Sequence, residues 1–331
     1  MLTIEKMITH MMDPSTDSFI CSDVCTECEE ATVKMLEQKA AKLFHSQKRK
    51  TGKMQESNEL LELLVSLKQK QLSFAAFSKQ LCTFIYNKKR QYAQYDPCDF
   101  IVMLIVHEQQ RYILGMENSY VSGYMHQLNT SETETEISIR QASMISASLI
   151  KKDAAFLVCL SDFEVSTIEH QIEIETEKRC FYNDLIFHLD APVSYHDALS
   201  AINKVCDNLI EEYELPAFDV KGKMKQVIKE HVEREEALLP QQLAEAVFET
   251  QPLVQKRFTQ ELKDQGMEKA VAIEHVKQRK AEQVQRIKTD KGIELIIPID
   301  YMKTTDYVEI INEEEGRISI RLKNINRIIS K

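Results

Sequence analysis

The chain has 331 residues, of which 43% are hydrophobic and 28% charged, and it carries a formal net charge of −10. That composition belongs to a folded protein of two ordinary domains, or of one large domain with an appendage, and excludes a disordered chain. Only 7 glycines are present, and they are never close together, which excludes a doubly wound nucleotide binder whose turns press backbone against phosphate.

No stretch reaches the roughly 18 apolar residues of a bilayer-spanning helix, and residues 1–6 lack a basic region followed by an apolar core, so the cytoplasm is the expected location. The 8 cysteines are scattered. Cys82, Cys159 and Cys206 lie inside apolar runs, as buried reduced thiols do.

At the start of the chain Ile4, Met7, Ile8 and Met11 have helical spacing, Asp13-Pro14-Ser15 is a turn, and Ser18 to Cys21 reads as a short strand. Between Asp23 and Phe44 the apolar residues Val33, Leu36, Ala40, Leu43 and Phe44 form one helical stripe. Residues 47–57 read as a basic, mobile loop. Two helices follow, one through Leu60, Leu61, Leu64 and Leu67, the other through Phe74, Phe77, Leu81, Phe84 and Ile85. Phe100 to Val106 is a continuous apolar run, the pattern of a strand buried on both faces. Arg111 to Met116, Tyr120 to Leu128, Gln141 to Ile150 and Ala154 to Leu160 extend it into a meander. From Phe181 the pattern is helical for about a hundred residues. Ser194 caps a helix with Asp197 in its first turn, Pro216, Pro240 and Pro252 mark new helix starts, Gly266 closes a helix, and a last helix is expected from Glu268 to about Val284.

These elements predict an α+β fold: a central, largely antiparallel sheet flanked by helices, a helical middle segment and a small C-terminal β unit. The expected divisions are 1–180, 181–282 and 283–331.

Reactive constellations are sparse. Cys21, Cys25 and Cys28 have the spacing of a loop that holds a [4Fe-4S] cluster, but Cys25 and Cys28 are expected on a helix and no repeating βα pattern follows. Four zinc ligands at zinc spacing are not found. His188-Leu189-Asp190 and His196-Asp197 have no Ser or Cys in a nucleophile context. Asp219-Val220-Lys221 and Glu261-Leu262-Lys263 have part of the spacing of a metal-dependent nuclease, yet fall on helices as solvated charges. Neither a catalytic residue, nor a metal site, nor a cofactor is expected.

The tail changes to period two. Ile293, Leu295, Ile297 and Ile299 share one face of a strand, and Val308 to Ile311 with Arg317 to Arg321 reads as a hairpin. Alternation that buries Ile318, Ile320 and Leu322 projects Arg317, Ser319, Arg321 and Lys323 from the other face, with Arg327 close by. Residues 277–331 hold 12 Lys and Arg against 9 Asp and Glu, so a basic end sits on an acidic body. Such a row can meet successive phosphates, or can keep an exposed strand soluble and unpaired. Lys48, Arg49 and Lys50 form a second basic candidate.

The tail resembles the 37-kDa nucleoid-associated protein family of bacteria, in its Gram-positive form, at Lys288 to Glu294, Pro298, Glu309, Gly316 to Ile320 and Lys323 to Ile325. The opening, an apolar run ending at His10 and then Asp13, is similar too, as are the strand starting at Asp99 and the apolar strand from Phe156 to Asp162. The resemblance implies a non-catalytic protein of the cytoplasm and nucleoid that binds DNA, without sequence preference, or DNA-bound assemblies. Two alternatives stay open: an interaction component of a DNA-acting system, docked through the helical segment, and a metal-dependent nuclease. A homo-oligomer is compatible with each.

Overall fold

The computed structural model describes residues 2–14, 16–92, 96–130, 135–148, 150, 152–174, 177–189, 193–273, 276, 278–302, 306–313 and 317–327. Asp190 and Gly316, named above, lie outside them, as do residues 131–134. Backbone contacts divide the chain into two compact units, Met1–Ala191 and Pro192–Lys331.

In the first unit the elements in chain order are β1 (Thr3–Asp13), β2 (Ser18–Ile20), α1 (Glu30–Phe44), β3 (Lys50–Lys53), α2 (Glu59–Lys68), α3 (Phe74–Tyr92), β4 (Cys98–His107), β5 (Gln110–Thr130), β6 (Thr135–Ile145), β7 (Ala155–Cys159), β8 (Glu164–Ile168), β9 (Ile172–Ile174) and β10 (Glu177–Arg179), then one π-helical turn, Phe181–Ile186. The main sheet runs β2-β1-β4-β5-β7-β8-β3, antiparallel throughout, with β6 paired to the far half of β5. Period-two alternation divides its apolar residues into two cores. Ile8, Phe100, Val102, Ile113, Phe156 and Val158 face α2 and α3, meeting Leu64, Phe77, Leu81 and Ile85. Met7, Ile101, Met103, Ile105, Leu114 and Leu157 face α1, meeting Leu36, Ala40, Leu43 and Phe44. Each fully buried Ile, Val or Phe contributes roughly 1.5–3 kcal/mol of transfer free energy, which is why an interior strand such as β4 reads as an unbroken apolar run.

Three expectations for this unit change. Residues 3–13 are a strand: β1 lies between β2 and β4 and is covered on both faces, so both parities are apolar and imitate helical spacing. The helix expected from Asp23 begins at Glu30, and Cys25 and Cys28 precede it in extended chain. Lys50–Lys53, within the expected loop, is a strand at the edge of the sheet.

The second unit comprises α4 (Tyr195–Glu212), α5 (Ala217–Glu233), α6 (Pro240–Val247) and α7 (Pro252–Asp264), then β11 (Val284–Lys288), β12 (Glu294–Pro298), a 3-10 turn (Ile299–Met302), β13 (Val308–Asn312) and β14 (Ile318–Leu322). Ser194 caps α4, its Oγ accepting from Asp197 N at 3.2 Å and donating to Asp197 Oδ2 at 2.7 Å. Ile202, Leu209, Met224, Leu243, Phe258 and Leu262 make the helical core. Gly266 adopts φ +84° after α7. The helix expected from Glu268 is absent among the described residues. Instead Val271 pairs with Leu238 as a β-bridge, and the extended segment buries Met267, Val271 and Ile273 against the helices.

Candidate nucleic-acid interface

β11 pairs with β12 and β13 with β14, each antiparallel. In the second hairpin the register sets Glu309 opposite Arg321 and Ile311 opposite Ser319. Arg317, Ser319, Arg321 and Lys323 alternate onto one face, about 6–7 Å between successive members. The opposite face is not covered: Ile318 and Leu322 are exposed, against the expectation that the alternation buries them. A two-stranded ribbon has no core of its own, so period two here sorts side chains onto faces without sheltering either.

The cations share their face with acid. Lys323 Nζ lies 2.9 Å and Arg321 Nη1 3.3 Å from Glu309 Oε2, and Ser319 Oγ donates to Glu313. The Lys323 hydrogen bond, with the Arg321 and Lys323 charges, holds the Glu309 carboxyl below its ordinary value. Solvent screens pairs of this kind, so a phosphate can displace the carboxylate at little cost. Arg327 is exposed beyond the hairpin.

The earlier basic triplet is less available. Lys48 is exposed, but Arg49 Nη1 donates to the Phe44 carbonyl at 3.0 Å and Lys50 Nζ lies 3.6 Å from Cys180 Sγ. A further cationic group escaped the sequence reading. Lys221 and Lys225, one turn apart on α5, converge with Arg286 of β11, and Lys225 Nζ donates to the Val284 carbonyl at 3.0 Å. Burial first, then the neighbouring Lys221 and Arg286 charges, push the Lys225 ammonium down. Lys221 is paired with Asp207 at 2.5 Å. A site where cations repel one another favours a bound anion.

Most of the other candidate groups are engaged structurally. Among the described residues the one His, Cys, Asp and Glu group close enough to share a metal is His10, Cys21 and Cys82, within 4.8 Å of one another. His10 Nδ1 accepts from Ser22 N at 3.2 Å and Nε2 lies 2.7 Å from Ser78 Oγ, so Nε2 carries the proton and neither nitrogen offers a lone pair. Burial holds His10 down to about 4 and pushes the Cys82 thiol up. Cys25 and Cys28 do not join the group. A cleft of about 620 Å³ in the first unit is lined by Lys89, Asp96, Glu117, Lys152, Glu169 and Tyr182. Lys89 pairs with Glu117 at 2.9 Å, Lys152 with Asp96 at 2.9 Å, and Glu169 accepts from Tyr182 N and Asn183 N at 2.7 Å each. On the helices Glu261 pairs with Arg257 and Lys263 with Glu268, as solvated charges do. His188 is exposed and His196 stands in the first turn of α4.

Fold and surface define an α+β protein of two units, the second ending in an exposed hairpin that carries a row of cations. No helix among the described residues is long and apolar enough to cross a membrane. The family described as nucleoid-associated protein YejK matches residues 8–329, nearly the whole chain, and the chain belongs to that family. No curated protein matches it.

Proposed function

We propose that the protein binds duplex DNA directly, without base preference and without catalysis, through Arg317, Arg321, Lys323 and Arg327 of its tail, with the Lys225 and Arg286 group as a second phosphate contact. The observation that carries this reading is the row of cations on an exposed hairpin whose acidic partner, Glu309, is half-buried and open to solvent on one side. The body of the chain is acidic and repels a polyanion, so contact is confined to these surfaces. Association with the nucleoid then follows from phosphate contact alone. Lys48 can add a non-specific contact, whereas Arg49 and Lys50 serve the fold of the first unit.

An electrophoretic mobility shift on a duplex of mixed sequence tests this. The wild type is expected to retard the duplex and to leave its length unchanged in Mg²⁺ or Mn²⁺, and the Arg317→Glu, Arg321→Glu, Lys323→Glu variant to lose retardation. Undiminished binding by that variant, or cutting of the duplex, overturns the reading.

A further inference from the structure

The first unit contains a second ribbon that its own core does not use. From Tyr120 onward β5 leaves β4 and β7 and pairs with β6 alone, in an unbroken ladder from Tyr120↔Ile145 to Thr130↔Thr135. The register places Tyr124, Leu128, Ile137 and Ile139 on one face of this arm. They are 76%, 60%, 68% and 77% exposed. Two strands with a bare apolar face are marginal in water by themselves.

The outer edge of β6 pairs with no strand among the described residues. Thr135-Glu136-Ile137-Ser138-Ile139-Arg140-Gln141 contains no proline and no lysine, and its ladder to β5 has no bulge. We infer that β6 pairs antiparallel with β6 of a second copy of this chain, across a two-fold axis at Ser138, joining the two arms into one four-stranded sheet.

The register follows from symmetry and is self-complementary. A two-fold perpendicular to the sheet sets only residues of equal parity opposite one another, because facing side chains must share a face. Centred on Ser138, it sets Glu136 of each copy opposite Arg140 of the other. Opposite charges directly across a ladder favour the pairing. The same register sets Ile137 opposite Ile139 on the apolar face, so four isoleucines meet where each copy alone exposes two. Neither Glu136 nor Arg140 has an ion pair among the described residues, their neighbours across the ladder to β5 being Asn129 and Met125. DNA is a poor occupant of this arm, since residues 131–136 of the sequence carry three glutamates and no cation.

Sedimentation velocity on the full chain tests the pairing. The wild type is expected to sediment as a dimer at micromolar concentration, Glu136→Arg and Arg140→Glu to weaken dimerisation at least tenfold each by setting like charges across the axis, and the double reversal to restore it. Ser138→Cys is expected to yield a covalent dimer on mild oxidation, and Ser122→Cys on the inner strand none. Circular dichroism unchanged from the wild type shows that the variants are folded. A wild-type monomer at tens of micromolar overturns the inference, as does a dimer indifferent to both single reversals, or an arm that binds only a different protein.

Discussion

Lys39 Nζ of α1 lies 3.1 Å from Asp153 Oδ2, with both side chains buried. The ammonium also donates to Asn118 Oδ1 at 2.5 Å and to the Ser146 carbonyl at 3.3 Å, while Asp153 accepts from Ser119 N at 3.0 Å and Ile150 N at 3.1 Å. One lysine thus ties α1 to the middle of β5 and to the segment that enters β7. Removing it leaves a buried carboxylate without its counter-charge. Lys39→Met should destabilise the first unit by about 3–5 kcal/mol, read from urea unfolding, and adding Asp153→Asn should recover part of that loss. A loss below about 1 kcal/mol would mean that the pair is solvated.

Gly115 of β5 stands under the ring of Phe156 on β7, where a Cβ would meet the ring edge head on. Both residues are in the interior of the sheet, so the ring cannot swing into solvent. Gly115→Ala should cost about 1–3 kcal/mol of unfolding free energy, and Phe156→Leu in the same chain should make the alanine tolerable. If Gly115→Ala is neutral by itself, the packing of this layer is looser than the contact implies.

Buried His10 and half-buried Glu169 give the first unit opposing pH dependences. His10 falls from 6.5 to about 4 on burial, so between these values the unfolded chain binds more protons. Its contribution is complete above about 6.5 and is lost as pH falls towards 4. Glu169 rises from 4.5 to about 7, mainly through burial and against the two backbone N–H groups it accepts, so its contribution is complete below about 4.5 and is lost as pH rises to 7. Unfolding free energies measured from pH 4.5 to 6.5 should therefore fall with pH in His10→Asn and rise with pH in Glu169→Gln, the wild type lying between them. Each shift amounts to roughly 3 kcal/mol over its full window. Parallel profiles for the two variants would contradict these environments.

Much of this was legible where the signal is local. The apolar run of β4, the stripes of α2 and α3, and the Ser194 cap depend on neighbours within a few residues. β5 was not, because polar Glu117, Asn118 and Ser119 divide it into two apparent strands. In the structure all three are buried in one continuous strand, satisfied by Lys89, Lys39 and Asp153 from elsewhere in the chain. Val271 reads as helix for a similar reason: its partner Leu238 is more than 30 residues away. At the candidate interface the row Arg317, Arg321, Lys323 was readable from period two. Pairing to Glu309 follows only once the hairpin register is known, and the Lys221, Lys225 and Arg286 group joins two elements about 60 residues apart.

The central claim is that the tail hairpin holds phosphate. The most direct test is the affinity for a mixed-sequence duplex across several salt concentrations, for the wild type and for Arg317→Glu, Arg321→Glu, Lys323→Glu. The account predicts a linear fall of log affinity with log salt, with a slope of about 0.9 for each phosphate contact, and a slope shallower by about 2–3 in the variant. Equal slopes for the two proteins, or no binding by the wild type at low salt, would contradict it.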